Sequence, residues 1–166
     1  MSGGPEFAQT GTGLQAHGTY LLSKIDTSGV DSGVEGKTIL SLLPSGFAIM
    51  TDSAQGGLDG YQAFGMMQGT WTCSKCGDAG LTVEAMLLDF AYPNDGNPGA
   101  TLSRVALSGL LDVTTGGFSG QGVVRLCPLT ADPFADPAPD ATVTYSFKGQ
   151  KVPNPEGWSE HPRRAR

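Results

Sequence analysis

The chain has 166 residues, 39 % of them apolar and 16 % charged, with 25 glycines, 11 prolines and a net charge of −6. These values fit one domain with a true core and exclude a disordered chain, and the glycine and proline excess favours short strands and tight turns over long helices. The acidic balance argues against a nucleic-acid partner, and no apolar run approaches the roughly 20 residues of a membrane-spanning helix.

Residues 1–16 are rich in Gly, Ser and Thr, carry no hydrophobic period, and read as a loose arm. Within them Gly4-Pro5-Glu6-Phe7 is compatible with a cloning remnant and is left out of the fold reasoning. The start lacks the basic-then-apolar pattern of a secretory signal. Three cysteines, an odd number, make no disulfide framework, so a reducing, cytoplasmic setting is expected.

From Gly18 onward, strand patterns alternate with turn signals. Strands are expected over 18–25, 37–43, 46–51, 61–72, 80–92, 100–113, 118–129 and 141–152. The breaks between them carry turn chemistry, such as Pro44-Ser45-Gly46 and the run 93–99. Asp-Pro pairs at 132–133 and 136–137 forbid regular structure before the last strand. Residues 153–166 form a Pro-rich, basic tail.

No amphipathic helix separates successive strands, so neighbours are antiparallel. The fold class expected is all-β: an eight-stranded antiparallel up-and-down barrel over 17–152 with loose terminal arms, its lumen wide enough for one small ligand. A two-sheet sandwich is the alternative closure of the same strands. An α+β cone would need N-terminal helices that the Gly-rich start does not supply.

One phrase occurs twice, 51 positions apart: Gly18-Thr19-Tyr20 leads to Lys24, and Gly69-Thr70-Trp71 leads to Lys75. Each glycine permits close packing at a barrel corner, and the aromatic two residues later shares its face and plugs one end. Such a repeat is expected to mark two equivalent four-strand halves, unless it is coincidence in Gly/Thr-rich sequence.

Gly18-Thr19-Tyr20 resembles the opening of the lipocalin and calycin barrels. Together with Gly69-Thr70-Trp71, Phe90–Gly96, Gly117–Gly122 and Tyr145–Val152, it resembles the small barrels related to allene oxide cyclase. That resemblance implies an eight-stranded calycin-like barrel with a hydrophobic cavity, and cyclase or isomerase chemistry in some members.

Strand parity decides which side chains share a face. In the last strand Ala141, Val143, Tyr145 and Phe147 are expected inside. In the fourth, Tyr61, Ala63, Met67 and Trp71 are expected inside, and Gln62, Phe64, Met66 and Gln68 outside. The fifth is apolar on both faces with one carboxylate on each, Glu84 or Asp89. The Glu84 face is preferred for the interior, because it carries the larger Met86 and Phe90. Arg104 sits in an apolar sixth strand and invites a buried partner.

Glu84 and Arg104 are therefore the candidate catalytic pair, positioned to polarise a carbonyl or move a proton. A purely structural ion pair is the alternative. Tyr20, Met67, Trp71, Met86, Phe90 and Tyr145 are the candidate substrate-binding residues. Cys73 and Cys76 have the spacing of half a zinc site, yet Cys127, His17 and His161 are scattered, so no metal is expected and the pair reads as a hairpin loop or a reversible disulfide.

The expected function is a cofactor-free cyclase or isomerase acting on a hydrophobic small molecule, with a non-catalytic carrier as the alternative. No membrane partner is expected, and a homodimer is compatible with the sequence.

Overall fold

The computed structural model describes residues 13–28, 33–57, 62–75, 80–95, 98–135 and 142–154. The elements run α1 (Gly13–Ala16), β1 (Gly18–Asp26), β2 (Glu35–Leu42), β3 (Phe47–Asp52), β4 (Met67–Lys75), β5 (Gly80–Ala91), β6 (Thr101–Asp112), β7 (Gly117–Pro128) and β8 (Thr142–Lys151). The eight strands close into one barrel in chain order, every neighbour antiparallel. Closure is made by β1 on β8, from Tyr20 opposite Lys151 to Asp26 opposite Tyr145. The all-β, eight-stranded antiparallel up-and-down barrel expected from the sequence is the observed architecture.

Period-two alternation sets the lumen. Tyr20, Leu22 and Asp26 of β1, Thr38, Leu40 and Leu42 of β2, and Ala48, Met50 and Asp52 of β3 are all buried. Val143, Tyr145 and Phe147 of β8 face inward as their alternation requires, whereas Ala141 lies outside the described residues. At one end the lumen is solid. Tyr20 meets Phe118 edge-on at 5.4 Å, and Phe118 meets Phe147 at 5.1 Å, the offset contacts that aromatic quadrupoles favour. The Trp71 indole donates to the Leu43 carbonyl at 2.9 Å.

The last residues of the expected arm are not loose. Gly13–Ala16 makes one helical turn, Ala16 is fully buried, and its carbonyl accepts the Tyr20 hydroxyl at 2.7 Å.

The repeated phrase does not mark two halves. A four-strand repeat would put its copies on β1 and β5, which run the same way. They lie on β1 and β4, which run oppositely. Both aromatics nevertheless reach the solid end, Tyr20 by entering there and Trp71 by leaving there. The two glycines serve different needs. Gly18 has φ of +144°, and a Cβ on Gly69 would stand 1.8 Å from the Met86 carbonyl oxygen.

β4 begins at Met67 rather than at 61. Residues 62–66 instead form a strap joined to β5 by a single bridge, Phe64 to Ala91. Phe64 N–H donates to the Gln55 carbonyl at 3.0 Å, and Tyr92 N–H donates to the Ala63 carbonyl at 2.7 Å. Gly65 breaks the pattern: with no side chain it lies close against the Asp89 carboxylate.

A candidate ligand site in the open half of the barrel

The other end of the lumen is hollow. A cavity of about 400 Å³ opens there, bounded by the inner faces of β1, β2, β3, β6, β7 and β8 and by the strap. One side of it is apolar and includes Met50, Phe64, Met67, Val105 and Val124. The opposite side is built from Lys24, Asp26, Asp52 and Tyr145.

Each of these polar groups is placed by strand parity. Lys24 and Asp26 follow Tyr20 and Leu22 on the inner face of β1. Across from Lys24 on β2 stands Gly36, where a Cβ would come within 2.8 Å of the lysine Cε, so the lysine chain lies over a residue that has no side chain. The Lys24 ammonium ends 2.9 Å from Asp52 Oδ2, with only 4 % of the Asp52 side chain exposed. Thr38, opposite Asp52 in register, donates to the same oxygen at 2.9 Å, and the Ala54 N–H donates to Oδ1 at 2.9 Å. Asp52 thus has the charge partner and hydrogen bonds that a buried carboxylate needs.

Tyr145 stands opposite Asp26 across the β1–β8 closure. Its ring lies across Gly122 of β7, where a Cβ would fall 2.1 Å from the ring. The Lys24 ammonium sits 5.5 Å from the ring centroid, within cation–π range. Burial holds the Tyr145 phenol above its ordinary range, and the negative charges of Asp52 and Asp26 push it further the same way. The group is therefore a neutral phenol at physiological pH, able to donate or accept one hydrogen bond.

The residues expected from the sequence divide between lumen and exterior. Met67 and Tyr145 line the cavity. Tyr20 and Trp71 point inward but are consumed by the solid end, at 0 % and 2 % exposure. Five placements are corrected. On β5 the inner face is Leu81, Val83, Ala85, Leu87 and Ala91, so Glu84, Met86 and Phe90 point outward, with Phe90 59 % exposed. The narrow lumen takes the smaller side chains: Ala85 stands opposite Trp71 in register, and the carboxylate of Glu84 stays in water.

On β6 the inner face is Ser103, Val105, Leu107 and Leu111, which puts Arg104 outside. There Arg104 Nη1 donates to the Pro133 carbonyl at 2.8 Å, and its guanidinium lies 6.0 Å from the Phe134 ring. Glu84 and Arg104 do not meet in the lumen. Phe64, expected outside, lines the cavity because it belongs to the strap and not to a strand.

Sequence reasoning missed Lys24, Asp26, Thr38 and Asp52. A signal was there: Lys24 and Asp26 share parity with Tyr20, and Asp52 shares parity with Met50. Cys73 points toward the core, and burial pushes its thiol up. Cys76 and His161 lie outside the described residues. Among the described residues no three His, Cys, Asp or Glu side chains group to hold a metal ion.

Compared with protein-family models, with curated proteins and with solved structures, the chain finds no match in any of the three.

Proposed function

We propose that this barrel binds a small, largely apolar molecule in its open half, with the polar end of the guest against the wall of Lys24, Asp26, Asp52 and Tyr145. The observation that carries this reading is the asymmetry of the lumen. Aromatic packing closes one half, and the other keeps about 400 Å³ with apolar residues facing polar ones. Ligand sites have this size and composition: apolar area for affinity and a few placed polar groups for orientation.

The test is to fill the space. Val105 is buried on the inner face of β6 and borders the cavity. Binding of N-phenyl-1-naphthylamine, a neutral apolar fluorophore, is measured for the native chain and for Val105→Trp. One probe per native barrel, with loss of at least about tenfold in affinity in the filled variant, is the expected result. Equal affinity in both proteins sinks the reading. Native mass spectrometry of the freshly isolated chain adds the identity of any retained guest.

A second reading, a cofactor-free cyclase or isomerase like those of the allene oxide cyclase-type barrels, draws support from the polar wall itself. A store for hydrocarbon has no need of an inward ion pair and a buried phenol. In this reading the cavity confines a flexible substrate to a reactive shape, and Tyr145 and Lys24 steady charge that develops on it. Conversion of a retained guest by the native chain, lost in Tyr145→Phe while binding persists, separates enzyme from carrier.

A further inference from the structure

The strap at the open end is fastened unlike a strand of the barrel. Residues 62–66 meet β5 at one isolated bridge, Phe64 to Ala91, whereas β5 itself is held by continuous ladders to β4 and β6. Individual hydrogen bonds do the rest. Tyr92 N–H donates to the Ala63 carbonyl at 2.7 Å, Phe64 N–H donates to the Gln55 carbonyl at 3.0 Å, and the Gln55 amide donates to the Gly65 carbonyl. The Gln62 side chain is tied to Gly99 and Thr101. A segment held in this way opens at lower free energy than a strand inside a sheet. Gln62 and Phe64 line the cavity, so opening the strap removes part of the cavity wall.

Beneath the strap lies a carboxylate that the shut form does not satisfy. Asp89 follows Leu87 on β5 with the parity of the inner face and stands opposite Ser103 of β6. Gly65 covers it: a Cβ there would stand 3.2 Å from Asp89 Oδ1 and 3.6 Å from Oδ2. Oδ1 accepts the Phe90 N–H at 2.7 Å, but Oδ2 is buried and has no hydrogen-bond partner. A dry, unpaired oxygen is far more costly on an ionised carboxylate than on a protonated carboxyl. Burial accordingly pushes the Asp89 carboxyl up, against the pull of the Phe90 and Gly65 N–H groups. Residues 62–66 contain no ionisable side chain, and β4 opens with Met67 and Gln68. Tyr92 brings its hydroxyl within 3.6 Å of the same Gly65 Cβ position, Arg104 of β6 points outward to Pro133, and Asp95 lies beyond the end of β5. Lys24, Asp26, Glu35 and Asp52 belong to β1, β2 and β3.

Resting on the cavity-binding reading above, we infer that the strap 62–66 is the gate through which the guest passes and that Asp89 is its latch, shut while the carboxyl holds its proton and released when it ionises. Lifting the strap lets water reach Oδ2, so opening favours the carboxylate and releases a proton. Opening therefore becomes easier as pH rises from the ordinary carboxyl range, and levels off once the shut form is ionised as well.

Two readouts test this. The first needs no guest: hydrogen exchange of the Phe64 and Tyr92 amides, expressed as protection relative to the unfolded rate, with amides of the β5–β6 ladder as reference. Relative to that ladder, protection is expected to be at least about fivefold greater at about pH 4.5 than at about pH 7.5 in the native chain, and equal at both in Asp89→Asn. The second is the rate at which bound N-phenyl-1-naphthylamine leaves on dilution, expected to be slower at the lower pH in the native chain and slow at both in Asp89→Asn. Ala63 and Tyr92 stand opposite each other beside the bridge. A disulfide between Ala63→Cys and Tyr92→Cys is expected to slow release at both pH values until it is reduced. Strap protection that ignores pH, or that changes alike in the native chain and Asp89→Asn, overturns the latch. Release at the native rate from the cross-linked form overturns the gate. If the probe binds the native chain and not Val105→Trp while either result fails, the inference falls and the cavity reading stands. If the probe binds neither, the cavity reading falls and takes the gate with it.

Discussion

The two halves of the lumen are built on the same strands and have opposite characters. In the closed half Tyr20, Trp71, Phe118 and Phe147 interlock, and the hydroxyl of Tyr20 and the indole N–H of Trp71 are each satisfied by a backbone carbonyl. In the open half the same strands present Lys24, Asp26, Asp52 and Tyr145, and about 400 Å³ is left unfilled. A uniformly packed barrel would be more stable. The unfilled half gives up dispersion contacts and carries charges that must compensate one another. The comparison teaches a division of labour along the barrel axis: one end holds the fold and the other holds space.

The sharpest way to break that division is to damage the closed half. Phe118→Ala is expected to cost about 4 kcal/mol in denaturant unfolding, because it removes the ring that joins Tyr20 to Phe147. Probe affinity in the remaining folded protein should stay within about twofold of native. A large loss of affinity with little loss of stability would erase the distinction between the halves.

Next in size is the ion pair of the open half. Lys24→Met leaves Asp52 buried with two hydrogen bonds and no charge partner, for an expected loss of about 3 kcal/mol. An unchanged unfolding midpoint would mean that the pair is not structural.

The smallest effect is expected from pH, and it spans both halves. Burial pushes the Tyr20 phenol up to about 12 from an ordinary 10.0, and Tyr145 is raised as well. The folded state therefore keeps protons that the unfolded chain releases, so the contribution of these two phenols to stability is constant below about pH 10 and falls as pH rises from there toward 12. Unfolding curves collected across that window should show the decline, with a shallower slope in Tyr145→Phe. A flat profile would mean that neither phenol is held in its neutral form.

Much of this fold was legible in the sequence because closed antiparallel strands announce themselves by turn chemistry and alternation. Eight strands were readable from the turns, and Tyr145 and Phe147 from parity alone. The two carboxylates of the polar wall, Asp26 and Asp52, were missed for a local reason. The expected first strand ended at Ile25, one residue short of Asp26, and the expected third ended at Thr51, one short of Asp52. Strand ends are where periodicity fades, and in a barrel the strand ends make the mouth. The β5 face was misread because both faces are apolar, and size was taken to mean interior. In a lumen this narrow the small side chains go inside, and Met86 and Phe90 are left on the outer surface. The register that sets Ala85 against Trp71 is a long-range fact that no window on β5 contains.

The single helical turn of Gly13–Ala16 has a practical consequence for anyone who shortens this chain. It acts as a stopper, with Ala16 wedged over the aromatic layer and its carbonyl occupied by the phenol of Tyr20. A version beginning at His17 would strip that phenol of its acceptor and uncover the end of the barrel that Tyr20 fills. What is now a blind tube would become one with water at both ends.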